Sequence, residues 1–176
     1  ELKSDEGIVK LGTGLKIGYF DQVHRELDLE KSVAHNVGEG KEYISINGKE
    51  RHIIGYMRNF LFSPKRAMTK ARALSGGERN RILLAKLFSQ PSNLLVLDEP
   101  TNDIDVNTLR ALEEGIQNFA GCAVVISHDR WFLDRICTHI LAFEGNSDVY
   151  FFEGGYSEYE ENRKKRLGND IIPTRI

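Results

Sequence analysis

The run Leu94-Leu95-Val96-Leu97-Asp98-Glu99-Pro100 most constrains what this chain can become. Its apolar part reads as a short strand covered on both faces, as in a parallel sheet. Two adjacent carboxylates, Asp98 and Glu99, stand at its carboxyl end. Ligands of open α/β sheets bind at that edge. Two acids at the buried tip of a core strand are costly unless they hold something. One can hold Mg²⁺, usually through water, and the other can polarise an attacking water.

Upstream, Leu74-Ser75-Gly76-Gly77-Glu78 reads as a glycine-rich turn that opens a helix. Ser75 and Glu78 have the spacing of a capping box. The first turn of a helix leaves N–H groups unpaired at the positive end of the dipole. Gly76 and Gly77 place no side chain between those groups and an anion. Residues 75–78 are therefore a candidate phosphate-binding surface, although the same residues also describe an ordinary capped helix. Downstream, Ser127-His128-Asp129 falls at the tip of the next expected strand, where His128 can steady a terminal phosphate. Gln22 follows a strand ending at Phe20 and can reach the metal or the water from the other side.

The rest of the chain supplies the frame. Residues 7–11 and 15–20 alternate as two strands, and Gly12-Thr13-Gly14 makes a hairpin turn between them. Gly12, Gly14 and Gly18 do not fit G-x-G-x-x-G, so a dinucleotide fingerprint is rejected. Residues 32–37 form a short helix stopped by Gly38 and Gly40, and Asn47-Gly48 closes a hairpin after Tyr43-Ile44-Ser45-Ile46. An apolar helical stretch over 53–62 ends at Ser63-Pro64, and 65–72 is a basic loop. After Ser75 a helix runs to about Ser89. Beyond Asn93, strand and helix alternate: Val106, Leu109, Leu112, Ile116 and Phe119 share a helical face, 122–127 is a second apolar strand, 130–136 is a short helix, and 140–143 and 149–152 are final strands. This is the pattern of a parallel sheet with helices packed on it. Over 156–167, acids precede bases in the order a helix dipole favours, as in a solvated terminal helix.

Composition excludes little. A formal net charge of −2 on 176 residues means that a nucleic-acid partner would have to be held by a local patch. Six bases between Lys65 and Arg81 (Lys65, Arg66, Lys70, Arg72, Arg79 and Arg81) could form such a rim, or a solvated face. Cys122 and Cys137 sit in apolar surroundings and read as small core residues in a reducing compartment. No apolar run approaches the roughly 20 residues of a membrane span.

Taken together the motifs resemble those of ABC-type ATPases. Leu74 to Glu78 resembles the signature, Leu94 to Glu99 the Walker B strand and catalytic glutamate, and Asn102-Asp103-Ile104-Asp105 the D-loop. His128 resembles the switch histidine and Gln22 the Q-loop glutamine. The wording of Asp98 to Asp103 and Ser127 to Arg130 resembles the ABC-F branch, soluble cytoplasmic ATPases without a membrane domain. The front, to about Asp105, and the back, from about Val106, resemble different members of that branch.

The resemblance implies a P-loop NTPase fold of class α/β, an incomplete ABC-type ATPase domain with a parallel-sheet core and a helical subdomain. The expected division is 1–22 for the end of the ATP-binding core with the Q-loop, 23–91 for the helical subdomain with the signature, 92–154 for the α/β core, and 155–176 for a terminal helix and tail. The implied cofactors are ATP and Mg²⁺. Glu99 and His128 would be catalytic, Asp98 and Gln22 would hold the metal, and Gln22, Ser75, Gly76, Gly77, Glu78 and Asp103 would contact nucleotide. The implied partners are a second ABC ATPase domain, packed head to tail, and the ribosome or its RNA, with no membrane. The signature would complete the ATP site of that partner domain. Two other readings stay open: a non-catalytic interaction module, and an ATPase head whose client is a transporter or a DNA-repair assembly.

No G-x-x-x-x-G-K-[ST] occurs in the sequence; Gly40-Lys41 and Gly48-Lys49 are both followed by glutamate. The expectation is a carboxyl-terminal part of a longer ATPase domain, opening on Glu1 in place of a methionine. A P-loop backbone and lysine cradle the β and γ phosphates in such enzymes. The purified chain is therefore expected to show negligible ATP turnover. Robust Mg²⁺-dependent hydrolysis that disappears in Glu99→Gln would overturn this.

Overall fold

A computed structural model describes residues 8, 10–20, 27–46, 48–102, 104–145 and 148–168. The first strand, β1, is Ile17–Tyr19, and helix α1 is Val33–Gly38. Strands β2 (Tyr43–Ile46) and β3 (Lys49–His52) follow, then the short helices α2 (Ile53–Met57) and α3 (Pro64–Ala67). The long helix α4 spans Gly76–Ser89 and leads through Pro91 to β4, Leu94–Asp98. Helix α5 (Val106–Gln117), β5 (Cys122–Ile126) and α6 (Arg130–Ile136) come next. The strands β6 (His139–Gly145) and β7 (Asp148–Glu153) precede α7, Tyr156–Leu167.

The expected parallel core is present: β4 pairs in parallel with β1 on one side and β5 on the other. The amino-terminal hairpin is not found among the described residues, and Gly7 and Val9 of its first expected strand lie outside them. β1 finds its partner in β4, with Ile17 opposite Leu94, and residues 10–16 lie outside any strand. A buried parallel ladder outcompetes a local hairpin whose first strand would carry exposed side chains; Ile8 and Leu11 are both exposed. Gly18 fits tightly in that ladder, since a Cβ there would stand 3.1 Å from Leu95 Cδ2 and 3.3 Å from Leu87 Cδ1, and those side chains would have to give way. β4 is fully buried on one face, by Leu95 and Leu97, and half-buried on the other, so the expectation of two covered faces holds for one.

Most of the core lies along α4. Ile82, Leu83, Leu84, Ala85 and Leu87 are all at most 2% exposed. They face α1 and α2 on one side and the sheet on the other, and Tyr56 of α2 donates its hydroxyl to the Ala85 carbonyl at 2.9 Å. α5 packs close enough that a Cβ on Gly115 would meet the Phe88 ring. On α5, Leu112 is buried, but Val106, expected on the same apolar face, is exposed because it occupies the first helical position.

Four local expectations change. The stretch 53–62 is not one helix: Leu61 takes a left-handed φ of 63° and breaks it. Residues 65–72 are not a loop throughout: Ser63 accepts from the Arg66 N–H and Pro64 takes the first position, which together start α3. The terminal helix α7 is not simply solvated: Tyr159 is buried, and its hydroxyl donates to Glu144 of β6 at 2.7 Å, as does Arg166. The hairpin β2–β3 is present, with Asn47 of its turn outside the described residues. β6 and β7 pair antiparallel as a separate two-stranded sheet. Cys122 is exposed rather than a core residue, and Cys137 is half-buried.

Truncating Leu84, which is 1% exposed at the centre of α4, removes packing on several elements at once. Leu84→Ala is expected to lower unfolding free energy by about 2–5 kcal/mol in denaturant titrations, while the exposed Met68→Ala stays within about 0.5 kcal/mol of the parent.

Candidate functional site

The turn at 75–78 forms as the residue pattern requires. Ser75 is extended and accepts from the Glu78 N–H, while the Glu78 carboxylate accepts from the Ser75 N–H at 2.9 Å, a complete capping box. The approach is fixed too. Ala71 and Arg72 donate their N–H groups to the Lys31 and Leu29 carbonyls, and Leu74 is buried. Asn36 holds the other side of that contact, accepting from the Asp28 N–H and donating to the Asp28 and Ser32 carbonyls. The N–H groups of Gly76 and Gly77 are thus carried on a rigid turn beside a shallow cleft of about 340 Å³, lined in part by Gly76, Arg79 and Asn80.

Two residues hold this turn that sequence reasoning passed over. Arg66 of α3 grips Glu78 with both branches of its guanidinium, Nε to Oε1 and Nη2 to Oε2, each at 2.7 Å. That pairing holds the Glu78 carboxyl far below its ordinary range, at about 2. Asp105 caps α5 by accepting from the Asn107 and Thr108 N–H groups, and its Oδ2 also accepts from Arg81 of α4 at 3.2 Å. The Thr108 N–H chiefly keeps Asp105 below the usual carboxylate range. A Cβ on Gly77 would stand 2.5 Å from Asp105 Oδ2, so the second glycine of the turn gives room to the cap of the neighbouring helix. A spacing of 12 residues between Arg66 and Glu78 carries no sequence signal. Asp105 was visible only as the last residue of the stretch that resembles a D-loop.

Most of the supposed basic rim is committed. Arg66 binds Glu78, Lys70 and Arg72 both bind Glu30, and Arg81 binds Asp105.

At the tip of β4, Asp98 is exposed, not buried as expected, and Glu99 is half-buried. Glu99 takes a left-handed φ of 43°, uncommon for a residue with a side chain. Its N–H donates to the Ile126 carbonyl at 2.8 Å, tying it to the end of β5. His128, just past β5, brings Nε2 to 3.3 Å from Glu99 Oε1, outside hydrogen-bond geometry, so that this buried oxygen accepts no hydrogen bond. Ser127 accepts from the Asp129 N–H, and Asp129 caps α6 by accepting from Phe132, which fixes the loop that carries His128. Glu99 and His128 are therefore brought together; Gln22 and Asp103 lie outside the described residues.

The parallel sheet, the glycine turn on a buried helix and the acid-tipped strand define an ATP-binding cassette. The chain belongs to the ABC transporter family, whose model matches residues 8–102. It is 53% identical to ATP-binding protein Uup of Escherichia coli over 90% of the chain, and 49% identical to the energy-dependent translational throttle protein EttA of Mycobacterium tuberculosis over 98%. These likenesses agree with the ABC-F resemblance. The chain spans about a quarter of that Uup (25%) and about a third of that EttA (32%). In fold it is similar to an archaeal ribosome recycling factor solved with a ribosomal stalk protein, at a TM-score of 0.63 and 20% identity, over 97% of this chain and 34% of the other. It is also similar to a dimeric ATP-binding cassette bound to ADP and Pi, at a TM-score of 0.57 and 18% identity, over 79% of this chain and 63% of the other. No helix among the described residues is long and apolar enough to cross a membrane.

Domains of this family bind ATP with Mg²⁺. Among the described residues no three acidic, histidine or cysteine side chains gather into a metal site of their own. Mg²⁺ needs only one or two carboxylates, with waters and phosphate oxygens completing its shell. The exposed Asp98 carboxylate fits that demand.

The close approach at Gly77 sets a test. Gly77→Ala is expected to displace the Asp105 carboxylate from its cap and cost about 0.5–2 kcal/mol of unfolding free energy. Gly76→Ala meets nothing within 4 Å and is expected to be neutral or stabilising by up to about 1 kcal/mol. Equal effects in thermal melts of the two variants would refute the assignment.

Proposed function

We propose that this chain is part of the ATP-binding and ATP-hydrolysing module of an ABC-F protein that acts on the ribosome, and that its signature turn closes the ATP site of a partner ATPase domain packed head to tail. The observation that carries the reading is Glu99. It is held in a strained conformation at the carboxyl end of the central strand, with a buried unpaired oxygen beside His128. Such strain persists where surrounding structure enforces it, as at catalytic positions. In this role Glu99 accepts a proton from the attacking water, His128 steadies the terminal phosphate, and Asp98, with Gln22, holds Mg²⁺. In the same reading Ser75, Gly76, Gly77 and Glu78 contact the partner's nucleotide, and Asp103 is a further nucleotide contact. The setting is cytoplasmic.

Two likenesses support a ribosomal client. One relative is a translational throttle, and one structural neighbour is a ribosome recycling factor solved with a stalk protein. The paired bases at 66, 70, 72 and 81 lend an RNA-facing rim little support.

ATP-dependent pairing tests the proposal. The chain, mixed with the ATP-binding domains of Escherichia coli Uup, is expected to sediment as a complex in MgATP and as separate species in MgADP. Gly76→Asp, whose side chain has open space at the turn and adds a carboxylate beside the phosphate, is expected to abolish the complex. Identical sedimentation in both nucleotides would overturn the proposal.

A further inference from the structure

A helix N-terminus that receives a phosphate is poorly served by a carboxylate in its first turn. A bare Glu78 would place a negative charge within a few ångströms of the Gly76 and Gly77 N–H groups and repel the ligand they attract. Arg66 answers that charge. Its guanidinium donates to both oxygens of Glu78 at 2.7 Å and to the Ala73 carbonyl at 3.1 Å. The backbone of Arg66 is itself fastened: its N–H donates to Ser63 Oγ, and its carbonyl accepts the Thr69 hydroxyl at 2.7 Å. The cation is therefore fixed at both ends before any ligand arrives. Glu78 Oε2, so held, accepts from the Ser75 N–H and lies 3.2 Å from Ser75 Oγ.

We infer that Arg66 is the positioning residue of the signature turn: it cancels the charge of Glu78 and pins that carboxylate on Ser75, leaving the Gly76 and Gly77 N–H groups in a net positive field for a triphosphate. The inference rests on the reading of residues 75–78 as a phosphate site. It adds an element from outside the motif, the α3 turn, on which that site depends. Arg66 chiefly holds the Glu78 carboxyl down to about 2, in keeping with the tightness of the pair.

The role of charge separates from mere bracing by a double substitution. Arg66→Ala leaves a bare Glu78. Arg66→Ala with Glu78→Gln removes the cation and the anion together, and the glutamine carbonyl can still accept from Ser75. The probe is inorganic tripolyphosphate, titrated into the ¹⁵N-labelled chain, with the amide signals of Gly76 and Gly77 as the readout. The parent is expected to give saturable shifts and Arg66→Ala to bind about tenfold more weakly, with a shallower salt dependence because salt also screens the uncovered Glu78 charge. The double variant is expected to return to within about twofold of the parent. Glu78→Gln alone, which keeps Arg66, is expected to bind at least as tightly as the parent, and it tests the charge argument even if Arg66→Ala unfolds. Three results overturn the inference: no saturable shift in the parent, equal binding by Arg66→Ala, or a double variant as weak as the single. The sedimentation experiment fails independently. A chain that binds tripolyphosphate in this pattern without ATP-dependent pairing keeps the Arg66 assignment and loses the proposed function.

Discussion

Everything at the candidate site depends on how α4 is held at its first turn. The body of that helix is sealed into the core by Ile82 to Leu87, so it cannot shift without opening α1, α2 and the sheet together. Its amino terminus is the reverse: exposed, polar and made of two glycines. Left to propensity, such an end would fray, because glycine costs up to about 1 kcal/mol per residue in a helix. The capping box, the Arg66 clamp and the Asp105 carboxylate oppose that fraying from three directions. Buried leverage and an anchored tip together make a flexible sequence into a stiff presentation of backbone N–H groups.

Exposed ion pairs seldom contribute more than about 1 kcal/mol. Here the geometry matters more than the energy. A bidentate guanidinium fixes a carboxylate in direction as well as in charge, and the Glu78 carboxylate sets the Ser75 N–H in turn. Arg81 does similar work between α4 and α5, since its partner Asp105 is both the cap of α5 and the neighbour of Gly77. The loop from Glu99 to Asp105 is thus tied to β5 at one end, through the Glu99 N–H, and to the signature helix at the other.

The parts legible in the sequence were those set by local rules. Ser75 and Glu78 announced their helix because a capping box lies within four residues. Asn47-Gly48 announced its hairpin, and the apolar run at 94–97 announced its strand. The misread parts were those where a distant partner decided the outcome. β1 was assigned to a hairpin because its true neighbour, β4, lies far along the chain. The helical text at 53–62 hid a left-handed Leu61 that no residue type advertises. Arg66 counted as one base among six until its carboxylate was seen. The acids at 98 and 99 were both expected in a buried tip, and the structure separates them into one exposed and one half-buried group.

The sheet of three parallel strands has a consequence for handling the protein. β5 pairs with β4 along one side, and among the described residues no strand pairs with its other side. Val124 and Ile126 are each half exposed on it. A strand edge with apolar side chains is a template for any extended segment that reaches it. At high concentration the first segments to arrive belong to other molecules of the same kind. A covering strand at that edge would therefore act as a solubility device as well as a part of the fold.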